Sequence, residues 1–177
     1  RVILTDSESA TPVFRPAGAF DDAGTYVYFG ETNPVQTTGS TLLIDAGLPT
    51  WITQEFSATF PRIMNELRRQ FAQTPGRKPL VLLTRDPRPG DGFAGEVLPG
   101  VIRISFAGTQ WSEPDAESVR SAIALLAHES VHLWNGNADS EAAPWMHEGA
   151  AELLSWSALL TLDIVDDDWV LNRLNNA

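Results

Sequence analysis

The chain has 177 residues, 43% of them hydrophobic and 20% charged, which is enough to bury a core in one domain without disulfide or metal staples. A net charge of −11 excludes the clustered Lys and Arg that a nucleic-acid partner needs and disfavours an anionic membrane surface; its plainest role is solubility. Cysteine is absent, so neither a disulfide framework nor a thiolate metal site is available.

Strands come first and helices last. Val2–Thr5, Tyr26–Phe29 and Thr41–Ala46 are short β-branched or aromatic runs bounded by turn residues and read as strands, with a Pro- and Gly-rich loop at Thr11–Gly24. From Thr50 to Gln73 the spacing Ile52, Phe56, Phe60, Ile63, Met64, Leu67, Phe71 is helical; Pro61 predicts a break or kink, and Pro75-Gly76 ends the element. Pro79–Thr84 is a continuous apolar run typical of a buried strand, and a turn-rich loop (RDPRPGDG) follows. Phe93–Val97 and Val101–Phe106 flank Leu98-Pro99-Gly100 as a hairpin, with Ile102, Ile104 and Phe106 on one face and Arg103 and Ser105 on the other.

Ser112, Pro114 and Asp115 form a helix start, and the helix should run to Trp134–Asn135 and stop at Gly136. A loop at Asn137–Ala143 precedes a helix opened by Pro144 and running through Ser157. The DDDW run at Asp166–Trp169 is a further helix start rather than a calcium loop. Trp134, Trp145 and Trp156 read as helix-packing residues. The expected organisation is one domain: a strand-rich part, 1–110, with its helix near 50–73, and a helical part, 111–177. No apolar run reaches the roughly 18 residues of a transmembrane helix. The chain starts at Arg1 without Met or signal peptide, as after removal of a leader or trimming, and the expectation is an exported, periplasmic or secreted protein.

The chemistry concentrates in HESVH, His128 to His132. Histidines at i and i+4 share a helix face about one turn apart, so their ring nitrogens can converge on one ion. Glu129 points roughly 100° round the helix, next to such an ion without being forced to bind it, which suits a general base for metal-bound water. Zinc takes nitrogen and oxygen ligands, and its catalytic sites use three from the protein and leave one position for water. The third ligand must come from the next helix, where Glu148 and Glu152 lie at i and i+4. One of them reaches the metal, and the other can hydrogen-bond a ligand histidine. Gly149, Ala150 and Ala151 are small enough to allow close helix approach.

HESVHLWN together with WMHEGAAE resembles the gluzincin, or thermolysin-like, zinc metallopeptidases, most nearly the alanyl- and glycyl-aminopeptidase branches. The resemblance covers Ser112 to about Trp156. It implies an α+β zincin-like catalytic domain in which a small twisted mixed sheet precedes the active-site helices. It also implies zinc held by His128, His132 and Glu148, with Glu129 as base and Glu152 as the acid behind a ligand histidine. The substrate it implies is a peptide or protein held extended along an edge strand, for which Gly92–Glu96 (with Gly95 and Glu96) or Val101–Phe106 is the candidate. Arg103 and His147 are candidate hydrogen-bond donors to it. Fifteen residues separate His132 from Glu148, fewer than in those aminopeptidases, and counting alone would favour Glu152 as third ligand. The Gly-x-Met-Glu-Asn run of the aminopeptidases is missing, and the only tyrosines, Tyr26 and Tyr28, lie far upstream. Two alternatives therefore stand beside hydrolysis: a non-catalytic zinc-bearing module that binds peptides or serves as a scaffold, and one part of a longer peptidase.

Overall fold

Three apolar runs, at 42–44, 81–83 and 101–106, become neighbouring strands of one sheet. The structure, a computed structural model, describes residues 2–5, 26–29, 32–75, 78–87, 90–98, 100–135 and 144–175. Among them lie strands β1 (Val2–Thr5), β2 (Tyr26–Phe29), β3 (Thr32–Thr37), β4 (Ser40–Asp45), β5 (Leu80–Asp86), β6 (Gly92–Leu98) and β7 (Val101–Ala107). The helices are α1 (Thr50–Phe71), α2 (Ala116–Asn135), α3 (Pro144–Thr161) and α4 (Asp167–Asn175). β1 and β2 pair in parallel on their own. The other strands form a mixed sheet in the order β3-β4-β5-β7-β6, so the expected α+β class with a mixed sheet holds.

α1 is the crossover between the parallel neighbours β4 and β5, while β3/β4 and β6/β7 are antiparallel hairpins. Period-two alternation sends Leu42, Ile44, Val81, Leu83, Ile102, Ile104 and Phe106 into one core with the helices. Leu43, Leu82 and Val101 form a second buried cluster, which is why these strands read as continuous apolar runs. β6 is an edge strand. Its start is anchored by Trp111, whose Nε1–H is shared between the carbonyls of Gly92 and Ala107, 3.0 Å from each. No helix among the described residues is long and apolar enough to cross a membrane.

Four expectations need correction. β3 was not anticipated: Thr32–Thr37 carries one aliphatic residue and a proline, a composition that suits only an edge position, where β3 lies. Pro61 does not divide α1. The helix interior cost of proline is about 3 kcal/mol, and burial of Phe60, Ile63, Met64 and Leu67 beside it, at about 1.5–3 kcal/mol each, keeps one element running through it. α1 also ends before Pro75-Gly76, at Phe71, because Ala72 turns left-handed (φ 53°). There Phe71 stacks on Trp134 with centroids 5.0 Å apart, and Trp134 Nε1–H donates to the Gln73 carbonyl at 3.1 Å. Finally, Asp115 and not Ser112 caps α2, its carboxylate accepting from the Ser118 amide at 2.6 Å, while Ser112 closes a 3-10 turn, Gln110–Ser112. The expected α4 signal is an Asp166 cap on the Trp169 amide at 2.8 Å. The expected loops at Thr11–Gly24 and Asn137–Ala143, the Gly136 stop, Gly76, Pro99 and part of RDPRPGDG lie outside the described residues.

Candidate metal centre

α2 presents His128 and His132 one turn apart, and α3, packed against it, brings Glu148 to them. The two histidine Nε2 atoms are 3.3 Å apart, and Glu148 Oε2 lies 3.1 Å from His128 Nε2 and 3.7 Å from His132 Nε2. Bonds of 2.0–2.1 Å at tetrahedral angles put donor atoms about 3.3 Å apart. The three spacings bracket that value. The group could therefore hold a metal ion. The contacts behind the rings fit the same reading. His128 Nδ1–H donates to Glu152 Oε2 at 2.8 Å, and His132 Nδ1–H donates to the Asn135 amide oxygen at 3.0 Å. Each ring then turns Nε2 to the centre, the nitrogen a metal requires.

Three lone-pair atoms meeting at one point need a positive charge among them. A proton on an imidazole or a divalent ion could supply it. Burial alone would lower the His128 pKa, but the hydrogen bond to Glu152 and the charges of Glu129, Glu152 and Glu148 outweigh it and raise it. His132 is pushed down, by burial first and by the neighbouring His128 charge, with Asn135 opposing. Burial of Glu148 is outweighed by hydrogen bonds and charge from His147, His132 and His128, so its carboxylate stays ionised below the usual range.

Glu129 is buried beside the group, and its pKa is pushed up to about 7 by burial and by the charges of Glu148 and Glu96, against His128. Its carboxylate packs on the edge strand: a Cβ at Gly95 would stand 2.5 Å from Glu129 Oε1. Gly95 pairs with Ile104, which faces the helices, whereas its neighbour Glu96 pairs with Arg103 on the opposite sheet face. There the two form an ion pair of 2.5 Å, so Arg103 is directed away from the histidines. His147 joins the cluster instead of standing at its rim: its ring stacks on His132 with centroids 4.4 Å apart, and its Nδ1–H donates to Glu148 Oε1 at 3.0 Å. Of the small residues expected to bring the helices together, Ala151 is fully buried, but nothing lies within 4 Å of a Cβ built at Gly149, which faces outward. Trp156 packs as expected, while Trp145 is 76% exposed, turned off the packing face by its place in the first turn of α3.

Two features escaped the sequence reading. Asn135 lies three residues after His132 on α2, a spacing that does signal a shared face. The other is a recess of about 200 Å³ beside His128 and Glu152, walled by Phe93, Leu125, Trp156 and Trp169 with Arg173 at its edge. Its walls come from β6, α2, α3 and α4, and no spacing along the chain announces such a surface.

No family model and no curated protein matches the chain in sequence. Among solved structures, the crystal structure of an aminopeptidase N family protein from Idiomarina loihiensis superposes with a TM-score of 0.55 at 16% identity, over 77% of this chain. The chain spans 26% of the length of that protein. The likeness is one of fold.

Proposed function

We propose that the chain carries the zinc site of a gluzincin-like peptidase with a zincin-like fold and hydrolyses peptide bonds. The observation that carries this reading is the convergence of His128 Nε2, His132 Nε2 and Glu148 Oε2 at tetrahedral spacing, with Glu152 and Asn135 setting the ring tautomers. Zinc held by His128, His132 and Glu148 would polarise a carbonyl and lower the pKa of a bound water. Glu129 takes the water proton and delivers it to the leaving amine nitrogen, and its elevated pKa suits a group that both accepts and returns a proton near neutrality. The outer edge of β6 pairs with an extended peptide backbone, and the recess beside His128 receives an apolar side chain next to the cleaved bond. The fold shared with an aminopeptidase N family protein supports the class of reaction. Glu148, 59% exposed, leaves one side of the cluster open to water and substrate, which favours an enzyme over a closed zinc-bearing module.

The test pairs metal analysis with digestion of an unbiased peptide library. Wild-type protein should bind one zinc per chain and cleave; Glu129→Gln should keep the zinc and lose cleavage by about 100-fold or more, the range for general-base removal. Cleavage by Glu129→Gln at the wild-type rate would sink the mechanism.

A further inference from the structure

Two side chains touch His132 and Glu148 away from the atoms that face the centre. His147, 16% exposed, lies flat against His132, the planes 15° apart, and occupies Glu148 Oε1 with its Nδ1–H. Glu148 itself is 59% exposed, and a carboxylate that open rotates freely and offers either oxygen. With Oε1 taken, Oε2 is the oxygen turned to the imidazoles. Asn135, the last residue of α2, accepts from His132 Nδ1–H through Oδ1 and donates through Nδ2 to the His147 carbonyl at 3.4 Å. The contacts close a circuit, His132 to Asn135 to His147 to Glu148, that ties the last turn of α2 to the first turn of α3.

We propose that Asn135 and His147 are positioning residues of the metal centre: together they lock the His132 tautomer and hold Glu148 as a one-oxygen ligand. This rests on the zinc reading above. It reassigns His147 from substrate contact to ligand support. Partners behind metal ligands are worth about 10–100-fold in metal affinity, and the same range applies to each of these two.

Zinc affinity, measured by competition with a chromophoric chelator, and the visible absorption of the cobalt-substituted protein test it without reference to turnover. His147→Phe keeps a ring to stack on His132 and removes the donor; His147→Asn restores an N–H. Expected results are zinc affinity about 10–100-fold weaker in His147→Phe and Asn135→Ala, with altered cobalt bands, and partial recovery in His147→Asn. Melting temperatures of the metal-free proteins should stay together, since the circuit acts on the ligands and not on the core. If His147→Phe unfolds, His147→Asn and Asn135→Ala carry the comparison. Affinities within twofold of wild type, or a His147→Asn no better than His147→Phe, overturn the assignment. A wild-type chain that takes up no zinc overturns the zinc reading itself, a distinct failure seen before any variant is made.

Discussion

Substituting Gly95 by Ala separates the placement of the base from its chemistry. The added methyl would stand 2.5 Å from Glu129 Oε1, 2.7 Å from its Cγ and 2.8 Å from its Cδ. Carbon–oxygen contacts settle near 3.3 Å, so the carboxylate must retreat by about 0.8 Å. The backbone tolerates the change, because Gly95 is not among the residues with positive φ. The obstructed group is a buried side chain met at Cγ as well as at its carboxylate, so the stability loss falls within the about 1–3 kcal/mol that overpacking costs. Catalysis is less forgiving: a misplacement of about 1 Å costs on the order of 100-fold, or about 2.7 kcal/mol of transition-state stabilisation. The assay compares kcat/KM on the best library peptide, bound zinc and melting temperature for wild type and Gly95→Ala. We expect zinc stoichiometry to be unchanged, melting to shift by a few degrees and kcat/KM to fall about 100-fold. Activity within threefold of wild type at full zinc occupancy would refute the placement of Glu129 against the edge strand.

The other predictions concern the shell and the core. Glu152→Ala removes the carboxylate behind His128 and should weaken zinc binding about 10–100-fold, read by the same chelator competition; unchanged affinity would mean that the 2.8 Å contact does not support the ligand. Leu126, fully buried on α2, should cost about 2–5 kcal/mol when cut to Ala, read as a lower urea midpoint with unchanged slope. For Glu117, burial pushes the pKa up, but hydrogen bonds from Trp169, Ser121, Arg173 and Arg120 outweigh it and the pKa is lowered. A carboxylate depressed on folding stabilises the fold above its unfolded pKa, about 4.3, and that stability disappears as pH falls through the lower folded value. Stability followed between pH 5 and 3 should therefore drop in the wild type and flatten in Glu117→Gln; parallel curves would rule out this link between α2 and α4. The partly exposed group limits the effect to about 1 kcal/mol.

What could be read from the sequence was whatever a single element determines by itself. His128, Glu129 and His132 take their relation from helical spacing, and the β6/β7 hairpin follows from two alternating runs around Leu98-Pro99-Gly100. The choice between Glu148 and Glu152 was open at that level because both share a face. The way α3 sits on α2 puts Glu148 at the Nε2 atoms and Glu152 at Nδ1 of His128. β3 was missed because an edge strand needs only backbone pairing from one neighbour and leaves little mark on composition. Arg103 looked available in sequence, but whether it meets the cluster depends on strand register, which turns it to the face of Glu96. The proline in α1 and the exposed Trp145 show local propensity giving way to tertiary burial in one case and to helical phase in the other.

The division of labour between the helices explains why so small a stretch can define the site. α2 alone fixes both imidazoles and the base, whatever the rest of the fold does, and tertiary structure has only to bring in the carboxylate and the atoms behind the rings. Fully buried alanines on the two helices, Ala127 on α2 and Ala151 and Ala158 on α3, keep their side chains small within the shared core, so Glu148 reaches the histidines from its first turns. The assembly leaves an imbalance. Glu129, Glu148 and Glu152 gather around the imidazoles, and burial, with the charges of Glu148 and Glu96, pushes the Glu129 pKa up to about 7. Local propensity, capping and packing agree with one another along α2 and α3, so the conflict at this point is one of buried charge. Conflicts of that kind concentrate where a chain is built for a ligand, and a divalent cation is a ligand that the three donor atoms could hold.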